Sequence, residues 1–163
     1  FPVLKGPYLG QKPPGMTPDV FAPDVLSTKD FIEMGCTWTP DGREFYFGRS
    51  ETSDISSNWA IWGMREKDGV WSEPQVVAFS GVYRDISPFI TPDGKYMLFD
   101  RVESTFVSFR KDDGTWSRGY DLGGKFHIPS VSPDGKYMFF ESNSDIYWVS
   151  TKLIEDLKLR ELK

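Results

Sequence analysis

Residues 130–142 read SVSPDGKYMFFES, and two near-copies stand upstream: ITPDGKYMLFDRV at 90–102 and WTPDGREFYFGRS at 38–50. The Pro-Asp-Gly triplets begin at Pro40, Pro92 and Pro133, spaced 52 and 41 residues apart. A recurrence of about 40–50 residues built from short strands is the spacing of propeller blades. The turn chemistry is specific. Pro presets φ at the second turn position, Asp tolerates the third, and Gly accepts a left-handed conformation. Each triplet therefore predicts a tight link between adjacent antiparallel strands.

A dense apolar run follows each turn: 44–47, 96–99 and 137–140. A half-exposed strand would alternate polar and apolar residues. These runs do not, so both faces are expected to be covered. A third strand follows at 59–64, 105–109 and 145–149. A second turn signal then recurs as KDGVWSEP at 67–74 and DDGTWS at 112–117, with Trp71 and Trp116 opening outer strands at 75–78 and 120–122. The expected fold is all-β: a β-propeller of four-stranded antiparallel blades, three per chain, at 31–79, 84–122 and 127–150. The third unit lacks an Asp-Gly-x-Trp signal. Helical spacing of Leu153, Ile154 and Leu157 predicts a helix or tail over 151–163 instead. The missing outer strand has a counterpart at 18–26, where Pro18-Asp19-Val20-Phe21-Ala22 matches Pro74-Gln75-Val76-Val77-Ala78.

The SPDGKYMFF turn and strand, the DIYWV strand and the GVWSEP segment resemble the TolB-like, WD40-like repeats of exported bacterial propellers. That resemblance covers roughly residues 8–160. It implies the fold and a periplasmic or secreted location. It does not imply a function, because this fold hosts binding platforms and enzymes alike. Family members usually carry enough repeats to close a ring; this chain carries three. Propellers have about four to eight blades. Three would leave two apolar faces open, so a homodimer forming a six-bladed ring is expected, with 20–22 completing the partner's third blade. A nine-bladed trimer and a fragment of a longer chain are the alternatives.

Composition narrows the partners. The 163 residues carry a net charge of -5, with 39% hydrophobic and 16% aromatic residues. That balance disfavours nucleic acid and anionic membrane as partners. No apolar run approaches the roughly 18 residues of a membrane span. Cys36 is the only cysteine, so no intrachain disulfide forms. The opening FPVLKGPYLG has neither Met nor a signal peptide, which is the expectation for a processed or trimmed N-terminus.

Strand direction gathers polar residues at one end. Glu33, Arg84, Asp85 and His127 precede the first strands; Arg49, Asp100, Arg101 and Glu141 follow the second, beside the loop 51–58. The candidate ligand-binding set at this channel mouth is Glu33, Arg49, Asp85, Arg101, His127 and Glu141, able to hold a sugar, a peptide end or a cation. The competing reading is a rim of paired charges. Joint replacement of Asp85 and Arg101 is expected to abolish binding and leave melting nearly unchanged. His127 is the only histidine, and with no second His or patterned Cys, zinc is not expected. Cys36 aligns with Pro88 and Pro129 and reads as a buried small residue. Trp71 and Trp116 read as packing residues. The DDGTW stretch resembles the Asp-box turn of sialidase-type propellers, one residue short between Gly and Trp, and such a turn is structural. No nucleophile elbow, phosphate loop or His-Glu-x-x-His motif occurs. No catalytic residue, cofactor or metal is therefore expected. A noncatalytic extracytoplasmic module binding a glycan or peptide is the leading expectation. A glycan hydrolase or lyase using rim carboxylates is the alternative.

Overall fold

The computed structural model describes residues 1–52, 54, 56–124 and 126–161. Within the loop at 51–58, positions 53 and 55 lie outside the described residues, as do 162 and 163 of the expected tail. The chain forms three antiparallel sheets and one helix. The first sheet runs β1 (Ile32–Trp38), β2 (Glu44–Ser50), β3 (Ala60–Lys67), β4 (Val70–Trp71), with β5 (Gln75–Val76) also pairing with β3. The second runs β6 (Asp85–Ile90), β7 (Tyr96–Arg101), β8 (Ser104–Phe109), β9 (Tyr120–Asp121). The third has only β10 (His127–Val131), β11 (Tyr137–Ser142) and β12 (Asp145–Ser150), followed by α1 (Lys152–Glu161).

The three turns are built alike, down to a hydroxyl that precedes each proline. Thr39, Thr91 and Ser132 donate to Asp41, Asp93 and Asp134 at 2.6, 2.7 and 2.6 Å. Each of those carboxylates also accepts the backbone N–H two residues on, at 3.1 Å. The same hydroxyls accept N–H groups from Glu44, Tyr96 and Tyr137. Gly42, Gly94 and Gly135 hold φ of 68°, 71° and 74°, where a Cβ is strained.

The outer strands are shorter than the sequence suggests, and serines explain why. Ser72 and Ser117 hydroxyls accept the N–H groups of Arg65 and Phe109 at 3.1 and 2.9 Å. Side chains thus replace part of the ladder, leaving β5 and β9 two residues each. The indoles that precede them are buried as expected: Trp71 Nε1 donates to Gly6 O and Trp116 Nε1 to the Tyr46 hydroxyl.

The sheets stack face to face. Tyr46 and Ile61 of the first pack on Ile90, Met97 and Phe99 of the second. Leu98 and Val107, on the second sheet's other face, pack on Val131, Met138 and Phe140 of the third. Ile154 and Leu157 of α1 join that same cluster, so the helix packs at the junction of the second and third sheets. First strands lie side by side: Ile90 N–H reaches Thr37 Oγ1 at 3.1 Å, and a Cβ on Gly35 would meet the Ser87 Cα at 3.4 Å.

Burial departs from expectation at two places. Strand β2 is buried throughout and β7 nearly so, but β11 alternates, with Tyr137, Phe139 and Glu141 exposed. Cys36 is exposed rather than buried: its counterparts Pro88 and Pro129 follow the same bulge and are covered, whereas Cys36 lines an open cleft beside the N-terminal segment. Residues 18–26 form no strand within the single chain; Ala22 and Leu26 pack on Phe45 and Phe47 of the first sheet.

Candidate functional site

The first strands all bulge near their start, and this sets which side chains meet. The bulges centre on Gly35, Ser87 and Ile128, at φ of 61°, 54° and 51°. For Gly35 that conformation is free; for the β-branched Ile128 it is strained. Beyond the bulge, Glu33 lies opposite Arg49 and Asp85 opposite Arg101.

Those oppositions become ion pairs. Arg101 grips Asp85 with Nε at 2.7 Å and Nη2 at 2.9 Å, and Nη2 also reaches Phe79 O at 2.7 Å. Asp85 is 0% exposed and takes a further hydrogen bond from Ser80. Three rings, Tyr83, Phe99 and Phe106, surround the guanidinium. Arg49 repeats the arrangement: Nε to Glu33 at 3.1 Å, Nη2 to Leu26 O at 2.7 Å, with Phe31, Phe47 and Trp62 around it. Burial pulls the Arg49 guanidinium below its usual value, with Glu33 opposing. Aromatic-boxed arginines of this kind lock a strand end, Arg101 through two contacts to its carboxylate and Arg49 through one.

Of the six candidate residues, the structure joins four into these two pairs and sets the other two apart. His127 is not the counterpart of Glu33 and Asp85. Its register partner is Glu141, which makes it equivalent to Met34 and Ile86 and leaves Phe126 in the acidic position. Ser142 then stands where the arginines stand, so the third sheet has no lock. Phe126 instead packs on Phe140, ring centroids 4.2 Å apart. His127 is half-buried and Glu141 exposed. Asp100, one residue before Arg101, is buried; burial raises its carboxyl, while the Ile128 N–H at 3.0 Å and nearby His127 oppose the rise. Among the described residues, no cluster of three or more His, Cys, Asp or Glu side chains fits a metal ion.

Asp85 is thus built into the fold, sealed from solvent and held by Arg101 and Ser80. The signal was available: in the first two units an acid seven residues before the turn proline is matched by an arginine nine after it, and in the third unit both positions change together.

No protein-family model and no curated protein matches the chain. Solved structures do. A periplasmic gluconolactonase of Pseudomonas aeruginosa superposes with a TM-score of 0.52 at 15% identity, over 74% of this chain and 40% of that one. A protein described as TolB from Agrobacterium tumefaciens gives 0.49 at 21% identity, over 74% and 42%. A protein described as a 6-phosphogluconolactonase from Bacteroides uniformis gives 0.49 at 18%, over 74% and 36%. The chain thus spans less than half the length of these structures. The likeness to the first of these establishes a propeller-type fold.

Proposed function

We propose that the chain is a noncatalytic, extracytoplasmic binding module that takes a glycan or a peptide at the end where the first strands bulge. The carrying observation is the bidentate Arg101–Asp85 pair with Asp85 sealed from solvent. An acid–base hydrolase needs two carboxylates free to exchange protons with substrate. At this rim Asp85 and Glu33 each hold an arginine, and Asp100 holds a backbone N–H. The groups facing outward include Glu141, the half-buried His127, the Ile128 side chain and, from the loop beside Arg49, Glu51. They suit recognition by hydrogen bonds and apolar contact. Location outside the cytoplasm is part of the proposal; the fold shared with a periplasmic protein supports it.

A thermal-shift screen of glycans and short peptides, with a turnover assay on every hit, tests this reading. A ligand bound without turnover, and weakened by joint His127→Ala and Glu141→Ala replacement, is expected. Turnover of a hit would overturn the noncatalytic reading, and undiminished affinity in that double variant would move the site.

A further inference from the structure

The third sheet ends at an unfinished edge. Among the described residues, β12 pairs with β11 on one side only. Its outer face carries Tyr137, Phe139, Ile146 and Trp148, with Ile146 74% and Trp148 64% exposed. Trp148 contacts both Tyr137 and Phe139. A strand edge beside an apolar face of this kind is an association site.

The chain also carries the piece that fits. Residues 18–22 repeat the pattern of the outer strand at 74–78, and each stretch is followed by a carbonyl that an arginine holds, one residue on in the later copy and four in the earlier. Phe79 gives its carbonyl to Arg101 and stacks on Phe99. Leu26 gives its carbonyl to Arg49, and Phe21 packs edge-on to Phe45. In the later copy, the residues just before Phe79 pair with the sheet that precedes Arg101's own. By the same geometry, 18–22 are placed to pair with a sheet preceding the first. Among the described residues no such sheet is present, and 18–20 stand exposed without a strand partner, Val20 at 65%. A cleft of about 410 Å3 lined by Tyr8, Phe21, Trp38 and Phe45 lies open on that same face of the first sheet.

We infer that a second copy of this chain supplies the missing sheet. The third sheet of one copy seats against the first sheet of its partner, and the partner's residues 18–20 complete β12 as an outer strand. Each copy brings the open face of its third sheet and, on its first sheet, the cleft that residues 4–9 and 21–26 leave beside Trp38, so two copies can close on each other. The register follows from the first sheet, where Trp62 lies opposite Val76 and Gly63 opposite Gln75. Trp62 faces Phe47 across β2 and β3 as Tyr147 faces Phe140 across β11 and β12. Tyr147 should therefore lie opposite Val20 of the second copy, and Trp148 opposite Asp19.

The test joins mass to register. Light scattering of the intact chain at micromolar concentration should give about twice 18.7 kDa. In a Cys36→Ser background, Val20→Cys with Tyr147→Cys should oxidise to a disulfide between two chains, because directly opposed strand residues have Cα atoms about 4.5–5.5 Å apart. Trp148→Glu should halve the measured mass while the far-ultraviolet dichroism keeps its shape. A monomer, a trimer, a bond formed within one chain, or a dimer that forms no bond between positions 20 and 147 would each overturn the inference.

Discussion

Arg110 reaches out of the second sheet and closes on Glu44 of the first, its Nη1 and Nη2 lying 2.5 and 2.6 Å from the two carboxylate oxygens. The Tyr46 hydroxyl donates to the same carboxylate and accepts from Trp116, so two sheets share one polar knot between apolar faces. Glu44 holds the Arg110 guanidinium above its ordinary value. Arg110→Ala should cost about 3 kcal/mol, the scale for orphaning one member of a buried pair, with Arg65 softening the loss. Replacing Arg110 and Glu44 together by apolar residues of similar size should cost less than Arg110→Ala alone. Urea unfolding of both variants and the parent chain measures this.

The two arginine locks should differ in weight. Asp85→Ala leaves Arg101 boxed by three rings without its carboxylate, and a loss of about 3–5 kcal/mol is expected. Glu33→Ala should cost visibly less, since Glu33 holds Arg49 through one contact and is partly open to water. Equal shifts of the two thermal midpoints would contradict this ranking.

Turn aspartates set the acid limit of stability. At Asp41 and Asp134 the hydroxyl hydrogen bonds from Thr39 and Ser132 hold the carboxyl below its usual value. At Asp93 burial pushes upward, and bonds from Thr91 and Lys95 outweigh it. A folded pKa below the unfolded value of about 3.9 means the unfolded chain binds more protons in between, so stability rises with pH there. That contribution is complete above the unfolded pKa and disappears as pH falls through the folded one. Asp100 acts oppositely: its raised carboxyl contributes stability that declines as pH rises through its folded pKa. Triple replacement of Asp41, Asp93 and Asp134 by Asn should flatten the loss of stability below about pH 4, read by denaturant titration across pH.

Gly135 and Gly94 separate backbone strain from contact. A Cβ at Gly135 meets nothing within 4 Å, so Gly135→Val should cost about 1–2 kcal/mol from positive φ alone. At Gly94 it meets Pro40 Cδ at 3.4 Å, from the neighbouring sheet's turn. Gly94→Val should therefore cost more. Unchanged melting of both variants would contradict the turn assignment.

The turns, the strand order and the C-terminal helix were legible in the sequence because their physics is local. A hydroxyl, a proline, an aspartate and a glycine within a few residues close their own hydrogen bonds wherever the chain goes, and Ile154 and Leu157 share a face by helical period alone. Which charges meet was not local. Glu33 and Arg49, Asp85 and Arg101, and Glu44 and Arg110 are joined by strand register and sheet stacking, and a bulge of one residue moves a side chain to the other face. His127 sits one residue nearer its turn proline than the two acids sit to theirs, so register places it beside Glu141, and Cys36 is left open where its counterparts Pro88 and Pro129 are buried. Residue order alone was enough to say where the chain turns and which runs become strands, since each of those choices closes over a handful of neighbours. That the candidate binding charges lock one another, and that the third sheet keeps one apolar face in water, came from packing between segments far apart in the chain.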